Sequence, residues 1–240
     1  MKRLRLLLLP LLVLVCPPEA AAQSPIGTQV PADSVSRSFP LVPVLAAAGV
    51  SYGVASLTLH PLQQFDHTVS LHATQLSQGT RCPADNVLQY LPAAGVYAFK
   101  FLGMPSAHSY GGISLRLATT YASVAALTLS GKYLLVHRDR PDGSASNSFP
   151  SGHTATAFAG AEVLRLEYRQ SSPLPAILGY TAATLTGALR IYNNRHWLSD
   201  VLAGAGIGIL SAQFSYRLSD WLSPRPTTPS PHLVTSTYLL

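Results

Sequence analysis

Residues 148–166 read SFPSGHTATAFAGAEVLRL, a polar turn that leads directly into an apolar segment. Ser151 is a candidate N-cap, because a serine hydroxyl can accept a hydrogen bond from a free N–H of the first helical turn. Gly152 would let an anion approach those N–H groups, and His153 could donate a proton to a leaving oxygen of that anion. The stretch predicts a helix with an anion-binding amino terminus. A capping serine followed by an incidental histidine is the alternative for this tetrapeptide alone.

Five further apolar segments flank this one, so the sequence predicts six helices. The six segments cover residues 41–59, 87–102, 115–136, 155–166, 174–191 and 201–214. Charged residues make up 11% of the chain, compared with about 25% in soluble domains, and several segments approach the roughly 20 residues that cross a bilayer. We therefore predict an all-α, six-helix bundle that is embedded in a membrane. The alternative is a soluble helical domain with apolar core helices.

The amino terminus has the composition of a secretory signal peptide. Basic residues at the start precede an apolar run, and Ala20-Ala21-Ala22 has the small-x-small form of a cleavage site. We predict a signal peptide over residues 1–22 and a single domain over residues 41–217. Residues 23–40 and 218–240 are rich in Ser, Thr and Pro and are predicted to be flexible.

The distribution of Lys and Arg predicts the topology. Basic residues border the second and fourth connections and follow the last apolar segment, and the positive-inside rule places these regions in the cytoplasm. The loops that carry the functional clusters then face outward. Because a cleaved signal peptide leaves residue 23 outside, six crossings would reverse this arrangement. We therefore predict five crossings, with residues 41–59 as an interfacial or outward-facing helix.

The connection over residues 60–86 is predicted to be a loop. Its histidines, His60, His67 and His72, do not show the spacing with Asp, Glu or Cys that a metal site requires, so we interpret them as scattered loop residues. Cys82 is the one cysteine that follows the predicted cleavage point. An intramolecular disulfide is therefore not expected.

Two further clusters carry chemistry. In Arg140-Pro141, the planar guanidinium can donate two parallel hydrogen bonds to phosphoryl oxygens, although these basic residues could equally border a membrane helix. His196 and Asp200 are four residues apart, so both lie on one face of a helix that begins near His196. The carboxylate would hold the proton of one ring nitrogen and leave the other nitrogen as a nucleophile toward phosphorus. Arg190 can bind the same phosphoryl group.

The order of these motifs resembles the type 2 phosphatidic acid phosphatase (PAP2) superfamily, whose members include bacterial acid phosphatases and vanadium haloperoxidases. The motifs are Lys132, Arg140-Pro141, Pro150-Ser151-Gly152-His153, Arg190, His196 and Asp200, and the resemblance covers about residues 88–216. It implies a PAP2-type six-helix bundle with the site at the connections between helices three and four and between helices five and six.

The resemblance also implies a role for each residue. His196 would be the nucleophile that forms a phosphohistidine, Asp200 its orienting partner and His153 the general acid. Phosphate would be bound by Lys132, Arg140, Ser151, Gly152 and Arg190, together with the backbone of residues 151–153. No metal or cofactor is expected.

The sequence departs from the family pattern at two positions. The family lysine lies seven residues before the motif arginine, where this chain has Tyr133, whereas Lys132 lies eight residues before Arg140. Lys132 is therefore either displaced by about 100° around a helix or restored by a local bulge. Leu189 precedes Arg190 where the family usually has serine.

The predicted function is metal-independent hydrolysis of membrane lipid phosphates at the periplasmic face of a bacterial inner membrane. Lipid A, isoprenoid diphosphate, phosphatidylglycerol phosphate and phosphatidic acid are all candidate substrates. The expected partners are a phosphorylated lipid and the membrane, and no nucleic acid. The alternatives are a soluble periplasmic acid phosphatase, a vanadium haloperoxidase and a non-catalytic membrane protein that binds phospholipids.

Overall fold

The computed structural model describes residues 41–222 of the 240-residue chain. The predicted signal peptide, residues 23–40 and residues 223–240 lie outside this range. The helices are α1 (Leu41–Ser56), α2 (His60–Ser77), α3 (Asp85–Leu88), α4 (Leu91–Phe101), α5 (Tyr110–Ser130), a π-helix (Gly131–Leu135), α6 (Gly152–Tyr168), α7 (Leu174–Tyr192) and α8 (Leu198–Leu222). Helix α8 continues beyond residue 217, so residues 218–222 are helical rather than part of a flexible tail.

All six apolar segments form helices, which confirms the prediction of an all-α fold. The prediction of a loop over residues 60–86 was wrong, because α2 and α3 occupy much of this connection. Proline in the first turn suits the start of α2. Its three histidines and three glutamines conceal the helical period, although Asp66, Ala73 and Ser77 share one buried face.

Helix α8 lies at the centre of the bundle and packs against α1, α5 and α6. Its glycines allow the backbones to touch: a β-carbon at Gly204 would lie 2.5 Å from the Ser151 carbonyl oxygen, and one at Gly208 would overlap the Ala155 carbonyl. Small residues that let helices approach this closely are typical of membrane bundles. The contact at Gly204 fixes the start of α6 against α8.

Helix α1 packs against α8 as part of the bundle, and its placement as an interfacial or outward-facing helix over residues 41–59 stays a prediction. Ala46, Val50 and Gly53 of α1 are buried, and Gly53 and Gly49 closely approach α8. Helix α2 is the crosswise element, because it turns by 99° from α1. Helix α2, whose residues were predicted to be a loop, therefore lies across the end of the bundle.

Among residues 41–222, α8 is the one helix that is long and apolar enough to cross a bilayer by itself, and α1 and α2 pass the same test only as a bent pair. Most of the apolar window of α8 is buried within the protein. Helix α4 contains 11 residues, or about 16 Å of helix, which is less than the hydrocarbon thickness of about 30 Å. The predicted five crossings remain a prediction.

We expect Gly204→Ala to destabilise the protein. The added methyl group would meet the Ser151 carbonyl, and overpacking of this kind costs about 1–3 kcal/mol. The midpoint of thermal unfolding, measured by circular dichroism in detergent, should fall by roughly 2–10 °C. Gly111→Ala is the matched control, because a β-carbon at Gly111 has no atom within 4 Å. Equal midpoints for the two variants would contradict the close contact of α8 with α6.

Candidate active site

The structure brings the three sequence clusters together at one end of the bundle. The first follows α5, the second begins α6, and the third lies between α7 and α8. Within the first, the chain folds back on itself, because Arg138 and Asn147 form a β-bridge. The residues assembled there are Lys132, Arg140, Ser151, Gly152, His153, Arg190, His196 and Asp200.

Three cationic side chains surround the first turn of α6. Arg190 Nη1 donates to Asp85 Oδ2 (2.6 Å), and Arg140 Nη2 donates to Asn147 Oδ1 (3.1 Å). The Nε atoms of both arginines are buried and have no hydrogen-bond partner among the described residues. Burial, and then the positive charge of Arg140, lowers the pKa of Lys132 to about 8. The cluster therefore has hydrogen-bond donors without acceptors and more positive than negative charge. An oxyanion would supply both the acceptors and the missing negative charge.

Ser151 occupies the predicted N-cap position of α6 but does not form a side-chain capping bond. Its hydroxyl instead pairs with Thr154 Oγ1 (2.9 Å), and its N–H donates to the Asp200 carbonyl (3.0 Å). The prediction that its backbone N–H binds the anion was therefore wrong. The N–H groups of Gly152 and His153 precede the first intrahelical bond, from Ala155 N to Ser151 O, and free N–H groups of this kind are the ones with which helix amino termini bind anions.

His153 lies on the first turn of α6, as predicted. Its Nε2 is 2.9 Å from Asn86 Oδ1. Burial, and then the positive charge of Arg190, lowers the pKa of His153 to about 4. The ring is therefore neutral at pH 7 in the absence of an anion, and it can act as an acid only after a negative charge has been bound.

His196 lies two residues before Leu198, the first residue of α8, so the helix begins near His196 as predicted. The ring is 2% exposed, and its Nδ1 lies 3.6 Å from Asp200 Oδ2 and 3.4 Å from Ser148 Oγ. Ser148 Oγ itself donates to Asp200 Oδ2, so the serine lies between the imidazole and the carboxylate. Burial, opposed by Asp200, lowers the pKa of His196 to about 4, and the ring is neutral at pH 7.

The sequence profile of the PAP2 superfamily matches residues 16–224, most of the chain. The chain belongs to the PAP2 superfamily. It is 44% identical over 144 residues to a lipid A 1-phosphatase of Porphyromonas gingivalis, a match that covers 60% of this chain and 32% of that protein. It is 40% identical over 81 residues to lipid phosphate phosphatase 1 of Arabidopsis thaliana, covering 29% of this chain and 25% of that protein.

A third relative, with 34% identity over 79 residues, is the bacitracin transport permease protein BcrC of Bacillus licheniformis. The chain spans between 25% and 35% of the lengths of these three proteins. Among solved structures, it is similar to a transmembrane PAP2 type phosphatidylglycerolphosphate phosphatase from Bacillus subtilis. The TM-score is 0.54 at 20% identity, and the match covers 76% of this chain and 98% of that one. This similarity supports the PAP2 fold.

The π-helix explains the unusual position of the lysine in this PAP2 sequence. A π-turn holds one residue more than an α-turn, and Val136 N donates to Gly131 O (3.0 Å) across five residues. The extra residue matches the one by which the spacing from Lys132 to Arg140 exceeds the family pattern. Lys132 Nζ donates to Asn147 O (2.8 Å), whereas Tyr133 is 61% exposed. The structure therefore places Lys132 in the site.

A buried charge network behind Asp200 was not predicted from the sequence. Arg138 donates from Nη1 to Asp200 Oδ1 (3.0 Å) and from Nη2 to Asp66 Oδ2 (2.7 Å). Asp66 also accepts hydrogen bonds from the N–H and the hydroxyl of Ser199. The guanidinium lies 5.5 Å from the centre of the Trp197 ring. Asp66 was missed because its helix was interpreted as a loop, and the one available signal was the buried period that it shares with Ala73.

His67 and His72, predicted to be loop residues, lie on α2. The ring of His67 packs edge-on against Trp197, with 4.6 Å between the ring centroids. His72 Nδ1 is 2.8 Å from the Thr68 carbonyl oxygen of its own helix. His60 is the first residue of α2. All three residues are therefore helical rather than part of a loop.

Lys132→Ala should weaken the binding of orthophosphate by roughly tenfold to a hundredfold, because a hydrogen bond to a charged group contributes about 1.5–3 kcal/mol. Tyr133→Phe should leave the affinity unchanged, since the Tyr133 side chain is exposed. Isothermal titration calorimetry on detergent-purified protein measures both dissociation constants. If Tyr133→Phe weakens binding as much as Lys132→Ala does, the π-helix does not set the register of the site.

Proposed function

We propose that this protein is a metal-independent phosphatase that hydrolyses phosphorylated membrane lipids through a phosphohistidine intermediate. The observation that carries the proposal is the convergence of Lys132, Arg140 and Arg190 on the first turn of α6, beside two neutral imidazoles. The buried Nε atoms of the two arginines have no protein partner among the described residues. Phosphoryl oxygens are acceptors of the size, charge and geometry that such a cluster binds.

In the first step, His196 attacks phosphorus and the bond from phosphorus to the leaving oxygen breaks. The cations stabilise the charge on the equatorial oxygens. The bound phosphoryl group offsets the positive charge around His153 and raises the pKa of that ring. His153 can then be protonated and donate its proton to the leaving oxygen.

In the second step, water attacks the phosphohistidine. Neutral His153 accepts a proton from the water, the bond between nitrogen and phosphorus breaks, and phosphate leaves. Asp200 stabilises the positive charge that develops on His196 in each step. For this, the Ser148 hydroxyl must either yield its place beside Asp200 Oδ2 or relay the interaction, because His196 Nδ1 is 3.6 Å from that oxygen.

Exposed apolar side chains support a lipid environment. Large apolar residues cover the outward faces of α4, α5 and α7, where water would otherwise contact them. They include Leu91, Tyr97, Phe101, Tyr110, Leu115, Leu129, Leu174, Ile177, Leu178 and Leu185. We propose an inner-membrane location with the site facing the periplasm, as the distribution of basic loop residues indicates.

The substrate class follows from the same features and from the named relatives. A bundle surrounded by acyl chains, with its cationic site at one end, is suited to a lipid whose phosphate lies at the membrane surface. The identity of 44% with a lipid A 1-phosphatase supports lipid A as the first substrate to test. Isoprenoid diphosphate, phosphatidylglycerol phosphate and phosphatidic acid complete the panel.

His196→Ala and His153→Ala should each reduce phosphate release by at least about 10²-fold, the loss typical of removing a nucleophile or a general acid. The assay uses detergent-purified protein and the four lipid phosphates. His72→Ala is the control, because His72 is exposed and, within residues 41–222, bonds only to its own helix. Near-normal turnover in His196→Ala or His153→Ala would overturn the mechanism. Absence of phosphate release by the wild type from every substrate would overturn the proposed function.

The acid limb of kcat/KM, corrected for ionisation of the substrate, should lie near pH 4. Burial lowers the pKa of His196 below its ordinary value, so the ring stays neutral above pH 4 and loses its nucleophilic lone pair only below it. The profile is measured over a pH series in one detergent. A limb near pH 6.5, the value of an exposed imidazole, would show that His196 is not held in this buried state.

A further inference from the structure

We propose that Asn86 is a positioning residue for His153: its side-chain oxygen accepts a hydrogen bond from Nε2 and so assigns proton exchange with the leaving oxygen to Nδ1. This inference rests on the proposed function, in which His153 is the general acid. Asn86 Oδ1 and His153 Nε2 are 2.9 Å apart. An amide oxygen can only accept, so this contact requires the proton on Nε2.

The segment that presents Asn86 is anchored independently of His153. The preceding residue, Asp85, is 1% exposed and is bonded to Arg190 Nη1. Upstream, Cys82 exchanges two hydrogen bonds of 2.8 Å with the Asn193 side chain at the end of α7. Two adjacent residues of α3 therefore contact two different parts of the site: Asp85 holds a phosphate ligand, and Asn86 holds the proton donor.

The tautomer determines which nitrogen can exchange a proton. With Nε2–H donating to Asn86, the neutral ring has its lone pair on Nδ1. When the ring is protonated, the Nδ1 proton passes to the leaving oxygen, while Nε2–H remains bonded to the amide. In the second step, Nδ1 takes a proton from the attacking water, which restores the ring to its initial charge. The amide gains and loses no proton in either step.

A neutral acceptor at this position fits the charges that face His153. They are Arg190 of α7, Lys132 of the π-helix, Arg140 of the loop after it, and Asp85 of α3. Three cations against one carboxylate favour the neutral ring. A carboxylate in place of Asn86 would hold the proton on His153 more tightly, whereas the amide orients the ring without adding a charge.

Two substitutions separate orientation from charge. In Asn86→Asp, a carboxylate faces Nε2, so the pKa of His153 rises and the alkaline limb of kcat should move up by about one pH unit or more. In Asn86→Leu the acceptor is lost, so kcat should fall roughly tenfold or more with little change in KM, and the alkaline limb should move down. Because the Asn86 side chain is exposed, both variants should unfold at the wild-type temperature.

Asn194→Asp is the matched control, since it adds the same charge where the side chain contacts Ser70 and Thr74 rather than His153. Its alkaline limb should match that of the wild type. If the wild type is active but both Asn86 variants keep the wild-type limb, the positioning role is overturned. Equal shifts in Asn86→Asp and Asn194→Asp would also overturn it, since the effect would then be one of charge alone. A wild type that releases no phosphate overturns the proposed function instead.

Discussion

The site depends on one backbone hydrogen bond, from the Ser151 N–H to the Asp200 carbonyl. This bond joins the turn before α6 to the first turn of α8, and the absence of a side chain at Gly204 lets the two helices approach closely enough to form it. The bond thereby ties the helix that carries His153 to the helix that follows His196. In the proposed reaction His196 attacks phosphorus while His153 protonates the oxygen that leaves it, so the helix contact brings together two groups that must act in the same step.

The polar groups inside the site destabilise the folded protein when no anion is bound, and the same groups are the ones available to bind an anion. Each of the three cations has only part of its hydrogen-bonding capacity satisfied: Arg190 by Asp85, Arg140 by Asn147 and Lys132 by the Asn147 carbonyl. Unpaired buried donors are unfavourable, and repulsion among the three cations adds to that cost. The tightly packed apolar and small residues of α1, α6 and α8 compensate at a distance. Polar groups left partly unsatisfied in this way are typical of functional sites.

The sequence predicted the helices with sustained apolar periods and the residues of the three motifs, because these signals are local. It did not determine whether the Lys132 side chain reaches the site. The one extra residue between Lys132 and Arg140 is compatible with either a lysine rotated around the helix or a π-turn that restores its position. It missed Asp66, Asp85 and Asn86 entirely. Their partners lie 67 to 133 residues away in the chain, and no spacing rule connects positions whose proximity is created by the packing of α2 and α3 onto the bundle.

The ion pair between Asp66 and Arg138 connects the crosswise helix α2 to the site. Helix α2 lies at 99° to α1 and carries exposed Phe65 and Leu76 beside its buried face. Its Asp66 and the Asp200 carboxylate share one guanidinium. A force that lifts or tilts α2 must therefore stretch the ion pair with Arg138 or pull Asp200 with it. Asp200, the proposed orienting partner of His196, is thus attached through two salt bridges to the helix that lies across this end of the molecule.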